Sequence, residues 1–301
     1  MKAPKIKFCG ITREQDAELA VSLDAWAVGL NLWPGSSRAV PLDRAAGLAA
    51  LLKRRAEIVG VFVNPTLDEL TTTADAVGLT ILQLHGQEGP SFCNEAARRT
   101  GCKVIKAARV QSLADIQALS AYHTDFHLLD GYRAGVPGGT GETFAWELAA
   151  GRGYVAPPRR KGQRVPLILS GGLTPENVAE AIWVVRPFAV DVASGVESAP
   201  GYKDGERMRA FAEAVAATAE ADEADEADRA DGADGADGAD GGDQSAEGDQ
   251  PAAPIERAGV AAVEGPCSRE ESDNDSHYHD APERAAGPGR AAGPGRAADV
   301  A

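Results

Sequence analysis

VPLILSGGLTPENVAEAIWVVRPFAVDVASGVE, residues 165–197, holds two apolar runs of strand length, VPLILS (165–170) and FAVDVAS (188–194). Each run ends in a polar residue and then glycine. Between them, Thr174–Val185 has helical character. A strand, a glycine turn, a helix and a second strand of like kind make a βαβ unit, whose strands run parallel. Near-continuous apolar strands must be buried on both faces, which a parallel sheet covered by crossover helices requires.

The same unit recurs on moving outward toward the N-terminus. IKFC (6–9) precedes a helix starting at Thr12, where Thr12-x-x-Gln15 has capping-box spacing. AWAVGLNL (25–32) leads to a helix over 42–55, IVGVFV (58–63) to one over 66–77, and TILQLH (80–85) to one over 88–99. KVIKAA (103–108) is followed by 112–121, FHLLD (126–130) by a glycine-rich loop and 144–150, and the last strand by a helix near 205–217. Eight strand–helix pairs in this length predict a closed (β/α)8 barrel, the TIM barrel, rather than an open doubly wound sheet. The first strand–helix junction is FCGIT, not G-x-G-x-x-G, so nothing there points to a dinucleotide.

Charge divides the chain at the same place as the pattern. Residues 1–217 carry 24 Lys and Arg against 23 Asp and Glu, whereas residues 218–301 carry 6 against 22, so the net −15 belongs to the C-terminal portion. The barrel portion therefore has no basic surplus with which to bind nucleic acid. From residue 218 the sequence is low-complexity, EADEADEADRADGADGADGADGGDQ over 220–244 and GPGRAAGPGRAADV near the end. Such a composition lacks the apolar surface to offset its ordering entropy, so 218–301 is expected to be a disordered, passive or solubilising acidic tail. DGADGADG lacks the ligand spacing of a calcium loop, and SHYHD (276–280) has no second ligand cluster, so no metal is expected. Cys9, Cys93, Cys102 and Cys267 show no paired spacing, and no run of 18 apolar residues occurs, so a reduced, cytoplasmic protein with no membrane partner is expected.

In a barrel the C-terminal ends of the strands face the active site. That rule nominates Cys9 after the first strand, Arg38 in the second loop, Gln83 and His85 at the fourth, and Asp130 at the sixth. Ser170-Gly171-Gly172 ends the seventh, and Asp191 through Glu197 closes the eighth. Each residue alone has a plainer reading: a buried Cys is a small hydrophobe, and an Asp before Gly a turn former. The glycines of SGGLTPEN (170–177) and ASGVE (193–197) would bare backbone N–H groups at adjacent strand ends, the usual phosphate corner of such barrels. VPGGTGET (136–143) reads as a mobile, water-excluding lid.

Taken together, KFCGIT (7–12), WPGSSR (33–38), GVFVN (60–64), LQLHG (82–86), LLDGY (128–132), GGTGETFAW (138–146), SGGLTPENV (170–178) and RPFAVDVASGVE (186–197) resemble the phosphoribosylanthranilate isomerase family of tryptophan biosynthesis. The resemblance spans residues 1–217, the barrel domain, and none of 218–301. It implies an Amadori rearrangement of N-(5-phosphoribosyl)anthranilate without metal or cofactor, with Asp130 as general acid and Cys9 as general base. Cys9 would then need a pKa lowered by nearby positive potential. Arg38 matches a residue facing the anthranilate carboxylate. Gln83, His85 and Asp191 match substrate contacts, and Gly171, Gly172, Ser194 and Gly195 match backbone phosphate contacts. Gly131, Ala145 and the basic insertion 151–164 depart from the family pattern. The partner implied is a small phosphorylated substrate, and monomer and homodimer both remain open. The nearest rival, the histidine-pathway aminoribosyl isomerase, would carry a carboxylate where Cys9 stands. Indole-glycerol-phosphate synthase would want a catalytic lysine near the second or third strand. A barrel reduced to a scaffold sits poorly with an intact Cys9 and Asp130.

Overall fold

A computed structural model describes residues 2–131, 146, 149 and 164–233. Eight parallel strands close into a barrel in chain order. They are β1 (Lys5–Cys9), β2 (Ala27–Asn31), β3 (Glu57–Phe62), β4 (Ile81–Leu84), β5 (Lys103–Arg109), β6 (Phe126–Asp130), β7 (Leu167–Ser170) and β8 (Ala189–Val192). Around them lie α1 (Glu14–Ser22), α2 (Leu42–Leu52), α3 (Leu67–Val77), α4 (Pro90–Thr100), α5 (Leu113–Ala118), α6 (Val178–Val185) and α7 (Gly205–Ala233). The expected lid (136–143), the helix at 144–150 save Trp146 and Ala149, the insertion 151–163 and residues 234–301 lie outside the described residues.

Strand periodicity sorts the side chains into two cores. Ala27, Val59, Ile81, Ile105, Ala107, Leu128, Ile168 and Ala189 fill the barrel interior. The intervening positions, such as Phe8, Val28, Leu30, Leu82 and Val190, face the helices. Because side chains alternate at a period of two, Lys7, Cys9, Gln83, Asp130, Ser170 and Asp191 share the inward parity of the first set. At the closed end of the barrel, Trp26 meets Phe126 and Phe188 edge-on, at 5.2 and 5.3 Å between ring centroids.

Several local expectations change. Thr12 does not cap α1: the N-cap is Arg13, and the Thr12 hydroxyl donates instead to the Gly201 carbonyl at 2.5 Å. That bond reaches an unanticipated hairpin, β9 (Glu197–Ala199) and β10 (Tyr202–Lys203). A tertiary partner has outcompeted the local one. Elsewhere the local partner wins, since Thr66 and Glu69 form a complete capping box on α3. The last helix, expected near 205–217, runs on to Ala233. Met208, Phe211, Val215 and Thr218 are all buried, so the packed face of α7 extends past residue 217. Ala and Glu are strong helix formers, and a helix nucleated by packing propagates into the EAD triplets.

Glu88 does not open α4, whose N-cap is Gly89 with Pro90 in the first turn. It ties three strand ends together. Its carboxylate accepts from the backbone N–H of Asn64 at 2.7 Å and of Gly86 at 2.9 Å, and from Lys106 Nζ at 2.7 Å. Lys106 also donates to the Gly86 carbonyl at 2.8 Å. The loops after β3 and β4 are thus fixed to β5, and the residues just before Gly86 are held with them. Burial works against the Glu88 charge, yet Lys106 and the backbone N–H groups outweigh it and hold its pKa below the ordinary carboxylate value.

Removing one partner of a buried ion pair leaves the other charged and uncompensated. Lys106→Met is expected to destabilise the fold by about 3–5 kcal/mol, read by urea denaturation. In the unsubstituted protein the Glu88 contribution is complete above the unfolded carboxylate pKa and fades as pH falls through its lowered folded value. A chain ending after Ala219, which keeps Thr218, is expected to fold and to melt within about 5 °C of the full chain, a shift of roughly 1 kcal/mol or less. A larger loss in differential scanning calorimetry would assign the remainder of α7 a stabilising role.

Candidate active site

At the mouth of the barrel the strand ends bring together Cys9, Gln83, His85, Asp130, Ser170 and Asp191. Cys9 ends β1 and keeps partial exposure. After it the chain turns through Gly10 at φ 74°, a conformation suited to glycine, and Gly10 also lies under Arg38. A methyl group at Gly10 would stand 2.5 Å from Arg38 Cδ, so the sequence Cys-Gly lets the second loop close over the first strand end.

Arg38 is held in a fork by Glu197, with Nε to Oε1 at 2.8 Å and Nη2 to Oε2 at 2.6 Å. Lys203 Nζ, fully buried, donates to the same carboxylate at 2.8 Å and to the Ala193 carbonyl at 2.9 Å. Burial opposes the Glu197 charge, but Arg38 and Lys203 outweigh it and hold its pKa down. Burial lowers the Lys203 pKa more than Glu197 restores it. The hairpin β9–β10 therefore delivers a cation and an anion into the site, and only Glu197 of that pair was singled out in the sequence.

Across the mouth, Asp130 ends β6 beside Ser170 of β7. His85 Nε2 lies 3.2 Å from Asp130 Oδ2, without the alignment of a hydrogen bond. The buried Gln83 amide approaches His85 Nδ1 at 3.2 Å. Gln83, His85 and Asp130 thus form one contiguous polar row.

Between β6 and β1 in the ring come β7 and β8 with their glycine turns. Gly171 and Gly172 take φ of 88° and 67°. A methyl at Gly171 would lie 2.2 Å from the Gly131 nitrogen, and one at Gly195 would lie 1.8 Å from the Leu173 carbonyl oxygen. Here glycine is demanded by backbone packed against backbone, and the two loops form a single corner. Ser194–Val196 is a short 3-10 turn in that corner, and Asn177 staples the other loop by accepting from the Thr174 N–H and donating to the Gly172 carbonyl.

Beneath Cys9 sits a buried pair, of which the sequence marks Asp191 but not Lys7. Lys7 Nζ lies 2.8 Å from Asp191 Oδ1, and Ser170 Oγ donates to Asp191 Oδ2 at 3.0 Å. The signal was available, because Lys5, Lys7 and Cys9 alternate along β1 and Lys7 shares the inward parity of Cys9. The expected lowering of the Cys9 pKa is corrected: burial raises it, and the opposing effects of Lys7 and Lys203 leave it above the ordinary thiol value. A thiol packed inside a barrel loses more hydration than two ammonium groups, one of them committed to Asp191, return.

Comparisons with known proteins agree with this geometry. Residues 6–214 match the family described as N-(5'-phosphoribosyl)anthranilate (PRA) isomerase. A Chromohalobacter salexigens protein named N-(5'-phosphoribosyl)anthranilate isomerase is 46% identical over 220 residues, covering 72% of this chain and 97% of that one. The crystal structure of phosphoribosyl anthranilate isomerase from Thermotoga maritima superimposes with a TM-score of 0.63 at 38% identity, over 70% of this chain and 98% of that one. A further structure of phosphoribosyl anthranilate isomerase, in complex with reduced 1-(o-carboxyphenylamino)-1-deoxyribulose 5-phosphate, gives 0.59 at 35% identity over the same shares. With a closed (β/α)8 barrel, a polar mouth and a family match running through all eight strands, the chain belongs to the N-(5'-phosphoribosyl)anthranilate isomerase family.

Proposed function

We propose that this barrel converts N-(5'-phosphoribosyl)anthranilate to 1-(2-carboxyphenylamino)-1-deoxyribulose 5-phosphate, with Asp130 as general acid and Cys9 as general base. The observation that carries the reading is a carboxyl on β6 and a thiol on β1 at one barrel mouth, with the glycine corner of β7 and β8 between them in the ring. A sugar phosphate anchored at that corner extends its furanose between acid and base.

The reaction opens the ring C1–O bond and shifts protons, with no atom gained or lost. Asp130 gives its proton to the ring oxygen, the C1–O bond breaks, and the nitrogen lone pair forms an iminium. The Cys9 thiolate takes the proton from C2, and that electron pair neutralises the iminium to give an enolamine. The enol proton then passes to C1 and leaves the ketone, so the product is an isomer of the substrate. General acid and base groups positioned in this way contribute about 10²–10⁴-fold each.

Phosphate is held through backbone N–H groups of Gly171, Gly172, Ser194 and Gly195, which bind an anion without a mobile side chain. Arg38 meets the anthranilate carboxylate through Nη1, the nitrogen that Glu197 does not engage, and the fork fixes its plane. Gln83 and His85 line the sugar beside Asp130, and Asp191 completes the substrate surround beneath Cys9. The relative that carries the reduced product analogue is the nearest support for a phosphorylated ligand here. The described helices include none long and apolar enough to cross a membrane, and a small biosynthetic substrate suits a cytoplasmic enzyme.

Cys9→Ser and Asp130→Asn are each expected to cut turnover at least about 100-fold, followed by loss of substrate fluorescence. Full activity in either variant would overturn the assignment of that residue. Gly195→Ala must displace the Leu173 backbone and is expected to cost about 1–3 kcal/mol of stability, with a KM for the phosphorylated substrate raised more than kcat is lowered. An unchanged KM would remove Gly195 from the phosphate corner.

A further inference from the structure

The base position raises a difficulty that the geometry itself resolves. Cys9 must become a thiolate, yet its surroundings favour the thiol. Four other charged groups act on or around it: Lys7 on its own strand, Asp191 on β8, Lys203 on β10 and Arg38 in the second loop. Arg38 and Lys203 are committed to Glu197. Lys7 is likewise held by a carboxylate, Asp191, but it alone of the three cations shares a strand with Cys9, two residues before it on the same inward face.

Gly29 of β2 pairs with Cys9 in register and shows how close the two groups are. A methyl group there would stand 2.8 Å from the Cys9 sulfur and 3.1 Å from Lys7 Nζ, so both heads converge on the space that this glycine leaves open. Asp191 and Ser170 hold the far side of the arrangement. Burial opposes the Lys7 charge, but Asp191 together with Cys9 outweighs that cost and keeps the ammonium protonated.

We propose that Lys7 is the positioning residue of the base: its ammonium, held by Asp191 and admitted by the missing side chain at Gly29, stabilises the thiolate of Cys9 as a buried ion pair. On ionisation the thiol proton leaves to solvent, Lys7 keeps its own three protons, and the thiolate is then free to take the C2 proton of substrate. Asp191 plays the counter-ion that keeps Lys7 charged while Cys9 is still neutral. The inference rests on Cys9 being the base and adds what makes it one.

The test separates the two readings by measuring Cys9 without catalysis. Rates of iodoacetamide alkylation at Cys9, read by peptide mass spectrometry from pH 6 to 11, report its thiolate fraction, and kcat/KM is followed over the same range. Lys7→Met is expected to move both the alkylation midpoint and the rising limb of kcat/KM upward by about 1–3 pH units, the usual effect of an adjacent opposite charge. Gly29→Ala keeps Lys7, Cys9 and Asp191 but drives a methyl against both sulfur and ammonium, and is expected to shift both in the same direction. It also serves if Lys7→Met, with Asp191 left unpaired, fails to fold. An unchanged alkylation midpoint in folded Lys7→Met or Gly29→Ala overturns the inference, as does a larger shift in Lys203→Met than in Lys7→Met. Full activity in Cys9→Ser would instead remove the base assignment, whatever the alkylation profiles show.

Discussion

The contact between Lys7 and Asp191 is where closure of the barrel and preparation of its site become one constraint. The two residues are register partners across the β1–β8 seam and also an ion pair at 2.8 Å, with neither exposed beyond 4%. Burying two charges costs several kcal/mol per ion unless geometry and further hydrogen bonds compensate. Here Ser170 supplies the second bond to Asp191. A shift of β8 by one residue would turn Asp191 toward the helices and leave Lys7 alone in the interior. The polar seam thus opposes misregister, and the apolar seams elsewhere, such as Leu128 beside Ile168, carry no such penalty.

A second polar cluster does for the loops what this pair does for the strands. Glu88 gathers the backbone of Asn64 and Gly86 and the ammonium of Lys106, on the helix-facing side of β5. Asn64 holds a left-handed φ of 49° there and accepts from the Gln87 N–H at 2.6 Å. The loops after β3 and β4 are therefore rigid where they leave the barrel. His85 comes directly before this clamp, and its approach to Asp130 depends on it. The hairpin β9–β10 plays the same part opposite, where Arg13, Asp16 and Thr12 tie it to the first loop and Lys203 and Glu197 reach inward. The mouth is polar, and Arg38 and Lys7 are each fixed by a carboxylate from another strand end, Glu197 and Asp191.

The close approaches of Gly171 to Gly131 and of Gly195 to Leu173 explain why the glycine turns come as a set. A side chain at Gly171 would hold the loop after β7 off the loop after β6, and one at Gly195 would hold the loop after β8 off the loop after β7. The positions that the sequence marks as turn-forming are in fact sites of backbone contact, a stronger demand than turn geometry. Gly131 lies against Gly171.

The sequence by itself determined the barrel, because strand periodicity, strand length and the repeat of apolar run, loop and helix are local properties of the chain. It also determined which strand ends are polar, and so nominated Cys9, Gln83, His85, Asp130 and Asp191 together with the glycine corner. Tertiary structure decided what those residues face. Lys7 reads as one lysine among three near the N-terminus until closure sets it against Asp191. Thr12 reads as a cap until the hairpin offers Gly201, and the direction of the Cys9 pKa follows from desolvation by distant strands. The continuation of the last helix to Ala233 is legible in Ala and Glu content. The physical reason is range: periodicity and propensity act over a few residues, whereas burial, register and ion pairing join positions such as Lys7 and Asp191, 184 residues apart.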